Sequence, residues 1–274
     1  MKNKILIFGN GFIGKRLQES LDADISDKRI SSFHDIKEEI ASHKPKIIIN
    51  CIGYTGIRNV DDCELDKNKT IFSNTFIPIL MAEEALRNKI KLIHISSGCI
   101  YHYDYAEDKP IKEEKAQNFL DLYYSRTKIY AERSLEPLLP KANILIPRIR
   151  IPLDNRPHPR NILTKLINYK KIIDAPNSIT YIPDFIQALK HLIKIDARGL
   201  YNVVNKGGLY YSELLDIYAK YVPNFKYKIL DYKQLKLTRT NLILSTNKIE
   251  RTGFNIRRVK EVLEECVRNY IKYS

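Results

Sequence analysis

Tyr124 and Lys128 are the two residues whose types and spacing most directly suggest chemistry. Positions four apart on a helix share a face, so the phenol and the ammonium can point into one site. A free tyrosine has a pKa of about 10 and is a poor acid or base at neutral pH, but a neighbouring ammonium lowers that pKa. The pair therefore predicts a proton-transfer site, although Tyr-x-x-x-Lys taken alone is usually a surface pair.

A hydroxyl and a thiol follow the short apolar run Lys91–Ser96. Ligands of open α/β sheets bind at the carboxyl ends of strands, so Ser97 is placed to hydrogen-bond a substrate carbonyl beside Tyr124. The Cys99 thiol could reach the same substrate. A small, buried core residue is the alternative interpretation of Cys99.

A Gly-x-Gly-x-x-Gly pattern lies between the strand-like run Lys4–Phe8 and the helix-like segment Phe12–Leu21. Its glycines permit a tight turn and let backbone N–H groups approach a pyrophosphate, which then lies at the positive end of the helix. We predict that the turn binds a dinucleotide through Gly9, Gly11, Phe12, Ile13 and Gly14.

The choice between NAD and NADP should be made at the end of the second strand, where the sequence reads Asp27-Lys28-Arg29. A carboxylate there hydrogen-bonds the ribose 2′-hydroxyl of NAD, whereas basic residues favour the 2′-phosphate of NADP. The sequence offers both. Lys28 and Arg29 favour NADPH, NADH stays open, and a solvated turn is the alternative interpretation.

Short β-branched runs alternate with helix-like segments, which predicts an α/β fold with a doubly wound parallel sheet. We expect a dinucleotide-binding Rossmann domain in residues 1–150 and mainly a smaller substrate-binding lobe in residues 151–274, with strands near 178–204 returning to the sheet. The predicted strands are Lys46–Asn50, Lys91–Ser96, Asn143–Ile149, Ser178–Ile182, Leu200–Val204 and Tyr227–Leu230. The predicted helices are Phe12–Leu21, Thr70–Asn88 with a bend at Pro78, Phe119–Leu135, Asn161–Tyr169, Asp184–Ile195, Ser212–Tyr221 and Ile256–Lys272.

The glycine turn, the strand-end hydroxyl and Tyr-x-x-x-Lys, in this order, resemble the extended short-chain dehydrogenase/reductases. The chain further resembles the plant and viral NDP-4-keto-6-deoxyglucose 3,5-epimerase/4-reductases of rhamnose synthesis over nearly its whole length. Two features depart from that family: the glycine turn is one residue shorter than Gly-x-x-Gly-x-x-Gly, and Cys51-Ile52-Gly53 replaces the usual Ala-Ala-Gly. The stretches that carry the resemblance are Asn50–Gly56, Asn59–Glu64, Ser97–Ile100, Tyr124–Lys128, Pro159–Lys165, Ala175–Thr180 and Arg239–Asn241.

The resemblance implies a role for each candidate catalytic residue. Ser97 and Tyr124 would hold the C4 carbonyl, Tyr124 would deliver the proton, and Lys128 would grip the nicotinamide ribose. Cys99 and Lys165 would form the epimerase acid/base pair, with a solvated surface lysine as the alternative for Lys165. The chemistry is coherent because the C3 and C5 protons flank the C4 ketone, and the groups that polarise this ketone also stabilise the enolate.

Further binding residues follow from the same comparison. Arg160 and Arg239 are candidate clamps for a substrate diphosphate, because guanidinium binds phosphate oxygens bidentately; a surface salt bridge is the alternative for each. Asn161 joins them as a substrate ligand. The expected cofactor ligands outside the glycine turn are Lys28, Arg29, Asn50, Gly53 and Asn74, and a hydrogen bond at a helix bend is the alternative for Asn74.

The implied function is NADPH-dependent 3,5-epimerisation and 4-keto reduction of a nucleotide-linked 4-keto-6-deoxyglucose to nucleotide-linked L-rhamnose, with UDP as the favoured nucleotide. A monofunctional dTDP- or UDP-4-dehydrorhamnose reductase is the nearest alternative, since it needs neither Cys99 nor Lys165. A different deoxyhexose substrate and a non-catalytic regulatory subunit are the others. The family also implies a homodimer.

The composition bears on the expected partners, metal sites and cellular location. The net charge of +14 comes from 46 Lys and Arg against 32 Asp and Glu scattered along the chain, which does not favour nucleic-acid binding. No apolar run is long enough to span a bilayer, so no membrane partner is expected. The 4 cysteines form no Cys-x-x-Cys pair and match no histidine spacing. We therefore expect no metal site and a reducing, cytoplasmic location.

Overall fold

The computed structural model describes residues 4–230 and 240–274. The chain divides into two compact units. Unit 1 comprises Met1–Ile100, Gln117–Arg148 and Leu192–Tyr201, and unit 2 comprises Tyr101–Ala116, Ile149–His191 and Asn202–Ser274. None of the helices within the described residues is both long enough and apolar enough to cross a membrane.

Strands and helices alternate along the chain. The strands are β1 (Ile5–Phe8), β2 (Asp24–Ser26), β3 (Ile47–Asn50), β4 (Lys91–His94), β5 (Ser96–Ser97), β6 (Ile144–Ile149), β7 (Pro152–Leu153), β8 (Lys171–Ile173), β9 (Thr180–Tyr181), β10 (Gly199–Asn202) and β11 (Lys228–Leu230). The α-helices are α1 (Phe12–Leu21), α2 (Phe33–His43), α3 (Lys67–Ile71), α4 (Ile77–Asn88), α5 (Tyr123–Leu135), α6 (Ile162–Ile167), α7 (Ile182–Lys194), α8 (Tyr211–Tyr221), α9 (Asn247–Glu250) and α10 (Val259–Lys272). Short 3₁₀ helices cover Val60–Glu64 and Glu136–Leu138, and a π-helix covers Phe72–Phe76.

Seven strands form the main sheet in the described part of the chain, in the order β10-β6-β4-β3-β1-β2, with β5 also paired to β6. β1 pairs in parallel with β2 on one side and β3 on the other, and the parallel pairing continues through β4 to β6. Every residue of β1, β3 and β4 is buried, as expected for a sheet covered on both faces. The predicted doubly wound parallel sheet is confirmed.

The predicted helix Thr70–Asn88 is interrupted by the π-helix before Pro78. The N–H of Ile77 donates to the carbonyl of Phe72, five residues back. Pro78 has no N–H to donate and lies in the first turn of α4. The wider π-turn before it accommodates a residue that cannot donate a helical hydrogen bond. The expected irregularity at Pro78 therefore takes the form of a π-turn just ahead of it.

The predicted start of α5 is four residues too early. Leu122 is extended, and the N–H groups of Asn118 and Phe119 both donate to the carbonyl of Ile100, which holds this segment out of the helix. The helix begins at Tyr123, whose N–H donates to the Glu64 carboxylate at 2.8 Å.

Unit 2 contains two small parallel strand pairs, β7 with β9 and β8 with β11. Its apolar core is formed mainly by α6, α8 and α10. The strand expected at Ser178–Ile182 pairs with β7 in one of these small sheets, whereas β10 lies in the main sheet. Unit 2 also contains Tyr101–Ala116, so the division is not a single boundary near residue 150; the Ile111 N–H donates to the Ile243 carbonyl, which ties this segment to residues far along the chain.

Candidate active site

The glycine turn after β1 is shaped by close backbone packing. Gly9 has φ +102°, and a Cβ there would lie 2.8 Å from the backbone of Cys51 and of Ile52. A Cβ on Gly14 would lie 1.9 Å from the Gly9 carbonyl oxygen, whereas one on Gly11 would meet nothing within 4 Å. Two of the glycines are thus required by the turn itself, and Gly11 leaves open space where a ligand could approach the backbone.

Gly11 is the N-cap of α1 and provides no side-chain cap for its first N–H groups, which suits an anion at the positive helix end. The chain runs from β1 to β2 on one side and later returns to β3 on the other, so the turn lies where the strand order reverses. A cavity of about 940 Å³ opens here, a volume suited to a small-molecule ligand. Its lining includes Gly9, Asn10, Asp27, Lys28, Arg29 and Lys69.

The three charges after β2 have different surroundings. Asp27 accepts a hydrogen bond from the Asn10 amide at 2.8 Å. The Lys28 ammonium pairs with Glu38 and lies 3.3 Å from Asp35. In the described part of the chain, the exposed guanidinium of Arg29 has no hydrogen-bond or ion-pair partner. Arg29 is therefore the basic residue of this group best placed to take an added phosphate.

Asn50 and Asn74, both expected at the cofactor, are fully buried and bonded within unit 1. Asn50 accepts from the Ile52 N–H at 2.9 Å and lies 3.2 Å from His94 Nδ1. Asn74, on the π-helix, bonds both the N–H and the carbonyl of Tyr54, at 2.8 and 3.0 Å. These contacts hold the turn after β3, and a direct role of either amide at the cofactor stays a prediction.

Lys128 is buried beside the turn after β3. A Cβ on Gly53 would lie 3.7 Å from the Lys128 Nζ, so the ammonium packs directly against this turn. The Nζ donates to the Ile95 carbonyl at 3.5 Å. Burial lowers the pKa of Lys128 to about 8, while the charge of Glu132 and the thiols of Cys51 and Cys99 oppose that decrease. An ammonium with this pKa can respond to proton transfer near neutral pH.

Tyr124, Ser97 and Cys99 lie in the same unit as Lys128. Tyr124 is in the first turn of α5 and is buried, one helical turn before Lys128. Ser97 is on β5, and its hydroxyl accepts from the Cys99 N–H at 3.2 Å. Cys99 is a half-buried thiol. A strand-end hydroxyl, a thiol, a phenol and an amine are thus held on two regular elements and the turn that follows β5.

A buried cluster beneath these residues was not anticipated from the sequence. Glu132 and Arg148 form a fully buried ion pair, with 2.6 Å between Arg148 Nη2 and Glu132 Oε2. Glu132 also accepts from the Ser96 hydroxyl at 2.5 Å and from Gln117 at 3.1 Å. The sequence feature that could have indicated this cluster is Glu132. It lies four residues after Lys128 on α5 and therefore on the same face of the helix.

The remaining candidates belong to unit 2. Lys165 is on α6 and half-buried, and burial followed by the nearby charge of Arg160 lowers its pKa. Asn161 is the N-cap of α6, and its amide also donates to the carbonyls of Asp154 and Arg156. Asn161 therefore holds the loop before Lys165, and its contact with substrate stays a prediction. Arg239 lies outside the described residues.

The doubly wound sheet, the glycine turn at its reversal point and the buried Tyr-x-x-x-Lys helix define a Rossmann-fold protein of the short-chain dehydrogenase/reductase class. More specifically, the chain belongs to the family described as RmlD substrate binding domain, whose pattern matches residues 3–172. The resemblance drawn from the sequence is therefore confirmed at the level of the family.

A bifunctional dTDP-4-dehydrorhamnose 3,5-epimerase/dTDP-4-dehydrorhamnose reductase from Arabidopsis thaliana is 30% identical over 280 residues, covering 96% of this chain and 91% of the relative. Two longer A. thaliana relatives are trifunctional enzymes that add UDP-glucose 4,6-dehydratase activity, and the chain spans 35% and 42% of their lengths.

Two solved structures show the same fold. The L780 UDP-rhamnose synthase of Acanthamoeba polyphaga mimivirus superposes with a TM-score of 0.90 at 25% identity, over 97% of this chain and 99% of that one. The dTDP-4-dehydrorhamnose reductase of Bacillus anthracis, solved in complex with NADP, gives a TM-score of 0.82 at 21% identity over 100% of both chains.

Proposed function

We propose that the chain is an NADPH-dependent enzyme that epimerises a nucleotide-linked 4-keto-6-deoxyglucose at C3 and C5 and reduces its C4 ketone, giving nucleotide-linked L-rhamnose. The observation that carries the proposal is the buried Lys128 ammonium, held one turn from Tyr124 in the unit that also contains the glycine turn. The A. thaliana relative, named as a dTDP-4-dehydrorhamnose 3,5-epimerase/reductase, and the mimivirus relative, named as a UDP-rhamnose synthase, support it and favour UDP or dTDP as the nucleotide.

The cofactor would bind along the glycine turn, whose open Gly11 and α1 N-terminus fit a pyrophosphate. When bound, NADPH supplies the hydride for C4. Ser97 and Tyr124 hold the C4 oxygen, and the Tyr124 hydroxyl gives it a proton as reduction proceeds. Lys128 holds the ribose, and its positive charge stabilises the phenolate left on Tyr124.

The epimerase half assigns proton transfer at C3 and C5 to Cys99 and Lys165. The half-buried Lys165 suits this role, because its lowered pKa makes the neutral, basic amine more accessible than in an exposed lysine. The ketone held by Ser97 and Tyr124 makes both protons acidic, so epimerisation must precede reduction.

The decisive experiment supplies UDP-4-keto-6-deoxyglucose in heavy water and follows the sugar by NMR. Deuterium at C3 and C5 without NADPH, followed by L-rhamnose when NADPH is added, supports both activities. A chain that takes up no isotope, but reduces the sugar once a separate 3,5-epimerase has inverted C3 and C5, would be a monofunctional reductase. Neither reaction even with that epimerase present, and with cofactor still bound, would favour a non-catalytic regulatory subunit.

Cys99→Ala and Lys165→Ala are expected to lower the rate of deuterium exchange at least 100-fold, about the contribution of one general acid or base. Both variants should bind NADPH like the native chain, which fluorescence titration checks. Cys63→Ala, at a buried thiol bonded to the Tyr54 carbonyl, and Lys171→Ala, at an exposed lysine of unit 2, are matched controls. Loss of cofactor binding in the two test variants would instead indicate a structural role.

Arg29→Ala is expected to weaken NADPH binding about tenfold or more while barely changing NADH binding, because a charge-assisted phosphate contact contributes roughly 1.5–3 kcal/mol. Lys28→Ala should have a smaller effect, since Asp35 and Glu38 already occupy its ammonium. Titration of each variant with both cofactors measures the difference. Equal losses for NADPH and NADH would contradict a 2′-phosphate contact.

We also propose a homodimer, as the family resemblance implies. Sedimentation at micromolar concentration should give twice the mass of one chain, and a single-chain mass would contradict it.

A further inference from the structure

Glu132 is the centre of a buried polar cluster. Its two carboxylate oxygens accept from Arg148 Nε at 3.1 and 3.0 Å and from Arg148 Nη2 at 2.6 Å. They also accept from the Ser96 hydroxyl at 2.5 Å and from Gln117 Nε2 at 3.1 Å. So many donors on one carboxylate hold its position tightly.

This carboxylate joins the two elements that carry the reductase residues. Through Ser96 it binds β5 at the residue immediately before Ser97. Glu132 itself is on α5, one helical turn after Lys128 and two turns after Tyr124. Resting on the function proposed above, we propose that Glu132 is a positioning residue: it fixes Ser97 relative to Lys128 and supplies the negative charge that keeps the buried Lys128 ammonium protonated.

The charges near Lys128 identify Glu132 as the main source of that stabilisation. Burial raises the pKa of Cys51 to about 12, so Cys51 is a neutral thiol at neutral pH. Burial, and then the charge of Lys128, hold the pKa of His94 well below its usual range, so His94 is neutral as well. Among the groups that raise the pKa of Lys128, Glu132 is the largest, ahead of Cys51 and Cys99. Tyr124 is the proposed proton donor of the reaction. Arg148 is the counter-ion that holds Glu132 in place.

Stabilisation of the fold does not by itself explain the buried ion pair between Glu132 and Arg148. Desolvating two charges offsets most of their attraction, and replacing a buried ion pair by uncharged residues of similar volume is often neutral for stability. Removing one partner alone would leave a buried, unpaired charge and is expected to destabilise strongly. The paired variant Glu132→Gln/Arg148→Met therefore separates a structural role from a positioning role.

The test is NADPH binding, followed by the fluorescence of the cofactor between pH 6 and 9.5, together with the keto-reduction rate. In the native chain, we expect affinity to fall about tenfold as Lys128 loses its proton near a pKa of about 8. In the paired variant, the midpoint of that fall should move about one pH unit lower, because burial then acts on Lys128 without the opposing carboxylate. Glu84→Gln, at another buried carboxylate of unit 1, should leave the midpoint unchanged.

A paired variant that folds, as shown by its circular dichroism melt, and keeps the native midpoint would overturn the proposal. If the paired variant does not fold, Ser96→Ala decides, because it keeps the ion pair and removes only the link to β5. We expect it to lower the reduction kcat about tenfold with an unchanged KM for NADPH, and a native kcat would overturn the proposal. A native chain that binds NADPH but reduces no keto sugar would refute the proposed function alone, since the binding midpoint still reports the charge of Lys128.

Discussion

Tyr124→Phe should lose keto reduction by about 10²–10⁴-fold, the range typical of a lost general acid, while still binding NADPH. Only the hydroxyl is removed. The ring keeps its buried place in the first turn of α5, so the fold should survive. Steady-state consumption of NADPH with UDP-4-keto-6-deoxyglucose measures the rate, and fluorescence titration measures cofactor binding.

The neighbouring residue provides a matched control. Tyr123 is half-buried, and its ring contacts the Lys67 ammonium and the Arg126 guanidinium. Phenylalanine preserves both contacts, so Tyr123→Phe should stay within a factor of about two of the native rate. Equal reduction rates for Tyr124→Phe and the native chain would show that Tyr124 is not the proton donor. Full biological effect of Tyr124→Phe would favour the regulatory-subunit alternative.

Lys128→Met should be inactive in reduction and more stable than the native chain at pH 7. The pKa of Lys128 falls from an ordinary 10.5 to about 8 on burial, so folding opposes its charged form. At about 1.4 kcal/mol for each pKa unit, this penalty is at most ~3.5 kcal/mol below pH 8. Because the folded chain loses the proton first, native stability should rise between pH 8 and 10.5.

Urea unfolding at pH 7 and pH 10 checks both parts. The native chain should gain stability over that interval relative to the variant, which has no amine to titrate. Lys91→Met is the control, because Lys91 is also buried but its ammonium donates to Asn143, Asp196 and Ala197. That substitution should destabilise. A Lys128→Met chain that is less stable than the native chain at pH 7 would contradict this prediction. It would show that the contacts of the ammonium stabilise the fold by more than burial of its charge destabilises it.

Local sequence patterns were sufficient to predict the elements that carry the candidate active-site residues. The glycine turn, α1 and the Tyr124–Lys128 spacing depend on residues within one or two turns of each other, and periodicity reports such neighbours directly. The order of buried strands and helices was likewise enough to predict the doubly wound sheet. Family membership followed from motifs spread along the chain and is confirmed.

Contacts between distant residues were not predictable in this way. The pairing of Lys28 with Glu38, the Asn74 contacts with Tyr54 and the late start of α5 depend on which segments meet in space. The same is true of the ion pair between Glu132 and Arg148. No local pattern marks such partners, because a side chain at a given periodicity is equally compatible with solvent, an ion pair or a ligand.

The sequence by itself therefore determined the class of fold, the family and the identities of the candidate catalytic groups, since these depend on residue types at short spacing. Only the tertiary structure decided which charges are free to act. It buried Lys128 within reach of the charge of Glu132, and burial and that charge together set the pKa of Lys128. It also paired Lys28 with carboxylates while leaving Arg29 exposed. The physical reason is that desolvation and Coulomb energies depend on distances in space, which only the packed chain defines.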